Sequence, residues 1–108
     1  MRTLQYKVMG QRLRPIGDHT GLVAGTEGYL KASFVFDSSW DKCKIVASFS
    51  PDGHNATVLE KDGTCVIPAK ALIGSTFEVR VEGRRDNYSI RTNPVIERQS
   101  GGVSDANS

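Results

Sequence analysis

The sequence predicts an all-β fold, an antiparallel β-sandwich or small barrel of about seven to nine short strands. Three observations carry this. Apolar and polar residues alternate with a period of two in segment after segment, turn-forming residues recur every ~8–12 residues, and no stretch holds the ~3.6-residue period of a long helix. The clearest segment is YLKASFVFDSSWDKCKIVASF, residues 29–49. Leu30, Ala32, Phe34 and Phe36 share one face of its first arm, and Cys43, Ile45, Ala47 and Phe49 share one face of its second. Lys31, Ser33, Lys42, Lys44 and Ser48 take the opposite faces. The arms read as paired strands joined by the polar turn Asp37-Ser38-Ser39, whose side chains bond nearby backbone groups. The single tryptophan, Trp40, sits at the tip of this hairpin.

The remaining elements follow in order. Residues 3–9 place Leu4, Tyr6 and Val8 on one face against Thr3, Gln5 and Lys7, which predicts a first strand, either an ordinary one or an exposed edge. Residues 10–26 contain Pro15, Gly17, Gly21 and Gly25 and read as a long loop with a short extended piece at 22–24. A loop of that length is functional or mobile. After the Trp40 segment, Ser50-Pro51-Asp52-Gly53 signals a turn. A strand over 56–60, a tight Lys61-Asp62-Gly63 hairpin turn and a strand over 64–67 come next. Pro68 stops that strand, and residues 69–73 form a single helical turn ended by Gly74. Residues 75–82 point Phe77, Val79 and Val81 inward and Glu78, Arg80 and Glu82 outward. Residues 83–87, GRRDN, make a charged turn into a strand over 88–92; Pro94 interrupts, and 95–99 form a last edge strand. Residues 100–108, SGGVSDANS, have no apolar period and read as a flexible tail or linker, leaving a sandwich domain over 1–99. The expected core is Phe34, Phe36, Ile45, Phe49, Phe77, Val79, Val81 and Ile90.

Length and composition narrow the function. A chain of 108 residues suits one domain. Fourteen basic and 12 acidic residues, net charge +2, are too balanced to imply nucleic acid or an anionic membrane as partner. No apolar run approaches the ~20 residues of a membrane helix. The N-terminus has a basic residue but no apolar core, so no signal peptide is expected. Without one, Cys43 and Cys65 are expected as buried thiols, a cross-strand or inter-sheet disulfide being the geometric alternative. Two cysteines without a local histidine cluster do not make a zinc site.

No residue pattern points to catalysis. His19, in Asp18-His19-Thr20, is a potential base, but no activated nucleophile accompanies it, and it reads as a solvated loop histidine. His54 beside Asp52 is too few ligands for a metal and reads as a polar hairpin tip. The glycines form no phosphate-cradling motif. Asn55-Ala56-Thr57 and Asn87-Tyr88-Ser89 match the glycosylation pattern without a secretion context. The expectation is a non-enzyme with no cofactor, no metal and no catalytic residues. Candidates for partner contact are Leu4, Tyr6 and Val8, if their strand is an open edge, Trp40, and Arg84 and Arg85. Trp40 packs as a lid over the sandwich end or anchors a partner. Arg84-Arg85 is a solvated tip or an electrostatic contact.

In landmark order the chain resembles the N-terminal immunoglobulin-like domain of tailed-phage upper baseplate and tail-fibre proteins. The resemblance covers residues 27–102. It is carried by Trp40 and Lys42 between paired strands, Val66-Ile67-Pro68 before a small turn, residues 77–83, and Thr92-Asn93 ahead of Ser100-Gly101-Gly102. It implies an immunoglobulin-like sandwich that docks onto other virion proteins by surface complementarity, in baseplate or tail-fibre attachment or in capsid decoration. It also implies a virion location after synthesis in the host cytoplasm and a homo-oligomer in the assembled particle, with no nucleic-acid or membrane partner. Family members continue into helical or fibre regions where this chain reaches its Gly/Ser-rich tail. That suits either a piece of a longer protein or a stand-alone decoration or adaptor protein. The alternative is a carbohydrate- or host-surface-binding sandwich using Tyr29, Trp40 and Tyr88 as stacking faces.

Overall fold

The computed structural model describes residues 1–51 and 53–101. Nine strands run in chain order: β1 Arg2–Met9, β2 Arg12–Ile16, β3 Leu30–Phe36, β4 Lys44–Ser48, β5 Ala56–Val58, β6 Thr64–Val66, β7 Thr76–Arg85, β8 Tyr88–Arg91 and β9 Val95–Arg98. Short 3-10 turns lie at Ser38–Trp40 and Ala69–Leu72. The strands form two sheets, ordered β2-β1-β3-β6 and β5-β4-β7-β8, with β9 also paired to β7. The sheets pack face to face as an all-β sandwich. Leu4, Tyr6, Val8, Phe34 and Ile67 from the first layer close on Ala47, Phe49, Phe77, Val79 and Val81 from the second. Phe36, Ile45 and Ile90 are half-buried against this core, so all eight expected core residues belong to it or line it.

The segment at 29–49 has the predicted faces but a different connectivity. Its arms are not a hairpin: β3 belongs to the first sheet and β4 to the second, and the link between them is an arch that crosses the sandwich. Asp37 builds the arch. Its carboxylate accepts the Ser39 N–H at 3.0 Å and the Gly10 N–H at 2.9 Å, capping the 3-10 turn and tying it to the β1–β2 turn. The Lys61-Asp62-Gly63 turn repeats this solution. It closes through Glu60 N–H to Thr64 O at 2.9 Å, yet β5 lies in one sheet and β6 in the other. Gly63 is required there. Its φ is +80°, and a Cβ would sit 2.6 Å from the Phe34 carbonyl oxygen.

One expectation about the N-terminal region is corrected, and one open alternative is decided. Residues 12–16, read as loop, are β2, which pairs antiparallel with β1 from Met9↔Arg12 to Gln5↔Ile16. On its other side β1 pairs in parallel with β3, so it is an inner strand and no open edge. Proline fits in β2 because β2 is an edge strand. The β2 edge is closed by a side chain: Leu13 N–H donates to Asn93 Oδ1 at 2.8 Å, and Asn93 Nδ2 donates to Leu13 O at 3.1 Å. Asn93 acts here as one residue of a missing strand, and it joins the edges of the two sheets. Asn93→Ala is expected to cost about 1–3 kcal/mol, because both Leu13 groups lose their partner; urea unfolding checks this.

A parallel β1–β3 pair needs a crossover, and residues 17–29 supply it. They form a strap tied at several points. Arg2 donates to the Asp18 and Thr20 carbonyls, Ala24 N–H to Ser100 O at 2.9 Å, and Gly25 N–H to Leu72 O at 2.8 Å. Val23 and Ser100 make an isolated bridge, which extends the ordered body past residue 99. The expected tail from residue 102 onward, and Asp52 of the expected turn and of the His54 metal pair, lie outside the described residues.

At the other end of the chain, β7 runs three residues further than predicted, into GRRDN, and the turn is Asp86-Asn87. The 88–99 segment is one strand interrupted at Thr92-Asn93-Pro94. The Thr92 hydroxyl accepts the Val81 N–H at 3.1 Å, and Thr92 N–H donates to Val81 O at 3.1 Å.

Candidate functional site

The six residues nominated for partner contact divide sharply. Leu4, Tyr6 and Val8 are fully buried, and both backbone edges of their strand are paired. They are core, and the partner-anchor expectation for them is corrected. Trp40 is 2% exposed. Its Nε1–H donates to Gly10 O at 2.8 Å, and its ring lies 5.2 Å from that of Phe36 and against Gly83. It plugs the sandwich beneath the arch and presents nothing to a partner. Arg84 and Arg85 are exposed at the β7–β8 tip. Arg84 pairs with Glu82, and the Arg85 guanidinium lies 4.4 Å from the Tyr88 ring centre. The Tyr88 hydroxyl donates to Ser39 O at 2.8 Å, bracing this tip against the arch.

A polar cluster not expected from the sequence lies between the strap and both sheets. Tyr6 OH donates to Glu97 Oε2 at 2.7 Å, and His19 Nδ1 lies 2.6 Å from the same oxygen. His19 Nε2 lies 2.9 Å from both Gln5 O and Ile16 O, two groups that only accept, so this nitrogen carries a hydrogen. His19 is therefore no solvated loop residue. It is the clasp that holds the strap to β1, β2 and β9. Burial first, and then the charge of Glu97, push the Tyr6 phenol far above its ordinary value, so it remains a donor. Rings continue from this cluster through the core: His19 edge-on to Tyr6 at 5.1 Å, Tyr6 stacked on Phe34 at 5.1 Å, and Phe34 on Phe36 at 6.0 Å. Buried Gln99 donates through Nε2 to Leu72 O and Gly74 O, fixing the second 3-10 turn to the end of β9.

Cys43 and Cys65 are free thiols, the first half-buried and the second buried. Burial pushes the Cys65 thiol from 9.0 up to about 12. Two outcomes are expected. A thiol reagent at pH 8 leaves Cys65 unmodified in the native protein and labels both cysteines after denaturation. Stability also falls as pH rises past 9.0 towards about 12, because the unfolded thiol loses its proton there while the native one keeps it. Alkaline titration of the melting temperature checks the sign.

Outside the core the two sheets present different electrostatics. The strands of the first sheet carry Arg2, Lys7, Arg12, Arg14 and Lys31 and no Asp or Glu. Lys7 and Arg14 stand directly opposite each other across β1–β2, and among the described residues no carboxylate pairs with them or with Arg12. A shallow open depression lined by Met9, Gln11, Arg12, Leu13, Arg14 and Asn93 runs along this edge. On the second sheet the carboxylates Glu78 and Glu82 are paired, with Arg80 on Glu78 and both Arg84 and Arg91 on Glu82, while Lys44 and Arg98 have no carboxylate partner among the described residues. Among the described residues, no group of three or more His, Cys, Asp or Glu side chains is placed to hold a metal. Comparison of the chain with known protein families, curated proteins and solved structures finds no match.

Proposed function

We propose that this chain is a non-enzymatic structural module of a tailed-phage virion, an immunoglobulin-like sandwich that docks onto other virion proteins. Baseplate or tail-fibre attachment and capsid decoration are the settings that suit it, with the module repeated as a homo-oligomer in the particle. The observation that carries the docking reading is the internal commitment of the side chains suited to chemistry. Both nitrogens of His19, the Glu97 Oε2 and the Tyr6 hydroxyl hold the strap to the two sheets. The same holds for Trp40 Nε1 and the Asn93 amide, each bonded to backbone of another element. What such a body offers a partner is a rigid outer surface. The virion setting is supported by the order of Trp40, Val66-Ile67-Pro68, residues 77–83 and Thr92-Asn93 along the chain. The carbohydrate-binding alternative loses Trp40 to the core and retains only Tyr29 and Tyr88 as accessible rings. Mass spectrometry of purified virions tests the proposal: the chain is expected among the particle proteins, and its absence rejects it.

A further inference from the structure

On the outer face of the first sheet, exposed Arg12 and Arg14 and half-buried Lys7 have no carboxylate partner among the described residues. The strands of this sheet run β2-β1-β3, so Arg14, Lys7 and Val35 form one row straight across three neighbouring strands. Arg12 and Met9 form the next cross-strand pair. Adjacent strands lie about 4.8 Å apart, and like charges directly opposite each other destabilise a sheet. Elsewhere on the molecule such a pair is neutralised: Lys44 faces Arg84 across β4–β7, but Arg84 is held by Glu82. Among the described residues Lys7 and Arg14 have no such relief. The other cations of the sheet are engaged: Arg2 by strap carbonyls, and Lys31 by the charge of Asp62. Beside the free cations stand two exposed apolar side chains, Met9 at 51% and Val35 at 60%.

We propose that this face, centred on Lys7, Arg12 and Arg14, docks an acidic protein surface on another virion chain. This rests on the docking reading above and names the partner's chemistry. A cationic row flanked by Met and Val matches carboxylates set around an apolar centre. Nucleic acid fits less well. The face has only three free cations, and the rings contributed by β1 and β3, Tyr6, Phe34 and Phe36, point into the sandwich, leaving none to stack on bases. A second copy fits less well too, because the carboxylates of the other outer face already pair with their own arginines.

The test uses the full chain and labelled poly-L-glutamate, followed by fluorescence anisotropy at two salt concentrations. Wild type is expected to bind, more weakly at the higher salt. Arg12→Glu/Arg14→Glu is expected to weaken binding at least tenfold, an order-of-magnitude figure for reversing two contact charges. Lys44→Glu/Arg98→Glu makes the same change in net charge on the opposite face and is expected to leave binding within about twofold. The Arg12/Arg14 variant is expected to melt no lower than wild type, since Glu at position 14 faces Lys7. Equal loss in both variants overturns the assignment, as does no binding by wild type. Tighter binding to a DNA duplex, or wild-type self-association abolished by the Arg12/Arg14 change, overturns the partner class. A virion that contains the chain, with the Arg12/Arg14 variant incorporated as well as wild type, overturns this face and leaves the docking reading standing.

Discussion

Trp40→Ala is expected to lower folding stability by about 3–5 kcal/mol, measured by urea unfolding at 25 °C. Domains of this size have on the order of 5–15 kcal/mol in total, so the variant should stand near the edge of folding. The loss has two sources. The ring fills the space beneath the arch between Phe36 of β3 and Gly83 of β7, and its N–H satisfies the Gly10 carbonyl. Gly83 gives an independent check. A Cβ there would lie 2.8 Å and 2.9 Å from Trp40 ring carbons and 3.1 Å from Cys43 Cβ. Gly83→Ala should therefore cost about 1–3 kcal/mol by overpacking. In the Trp40→Ala background the two ring contacts are gone and only the 3.1 Å approach to Cys43 Cβ remains, so the same methyl should cost less. A double-mutant cycle with strictly additive losses would contradict this packing.

Glu97→Ala should cost a similar amount, about 3–5 kcal/mol, because the Tyr6 hydroxyl and His19 Nδ1 lose their shared oxygen inside the body. Glu97→Gln should cost distinctly less, on the order of 1–2 kcal/mol, because an amide oxygen at the shared position still accepts from the Tyr6 hydroxyl. The local signature is as informative as the total. The clasp fixes the strap, so amide hydrogen exchange at residues 18–25 should accelerate in Glu97→Ala well beyond the change in β4 and β7. Uniform acceleration across the molecule would mean that the cluster stabilises the fold without specifically holding the strap.

Much of the fold was legible in the sequence because burial in a sandwich obeys a two-residue period. Phe34, Phe49, Phe77, Val79 and Val81 are inward where the alternation puts them. The connections were not legible. A hairpin and an arch use the same polar turn residues, and only pairing between distant strands, such as β1 with β3, decides which one forms. β2 was missed because Leu13 and Ile16, three residues apart among arginines and a proline, show no two-residue period. The clasp was missed for a different reason. Val95, Glu97 and Gln99 share the inward face while Ile96 is half exposed, so the polarity of β9 is inverted relative to its neighbours. A carboxylate at an inward position was the available signal, and it becomes meaningful only once His19 and Tyr6 are known to meet it. Trp40 shows the converse limit: its turn position left both a lid and an anchor open, and the space over Gly83 is what seats the ring.

The most direct test of the account compares particle assembly with wild-type chain and with Arg12→Glu/Arg14→Glu, quantified by peptide mass spectrometry of purified particles. The account predicts a fixed number of wild-type copies per particle and a marked shortfall of the folded variant. Particles that form normally without the wild-type chain would contradict it.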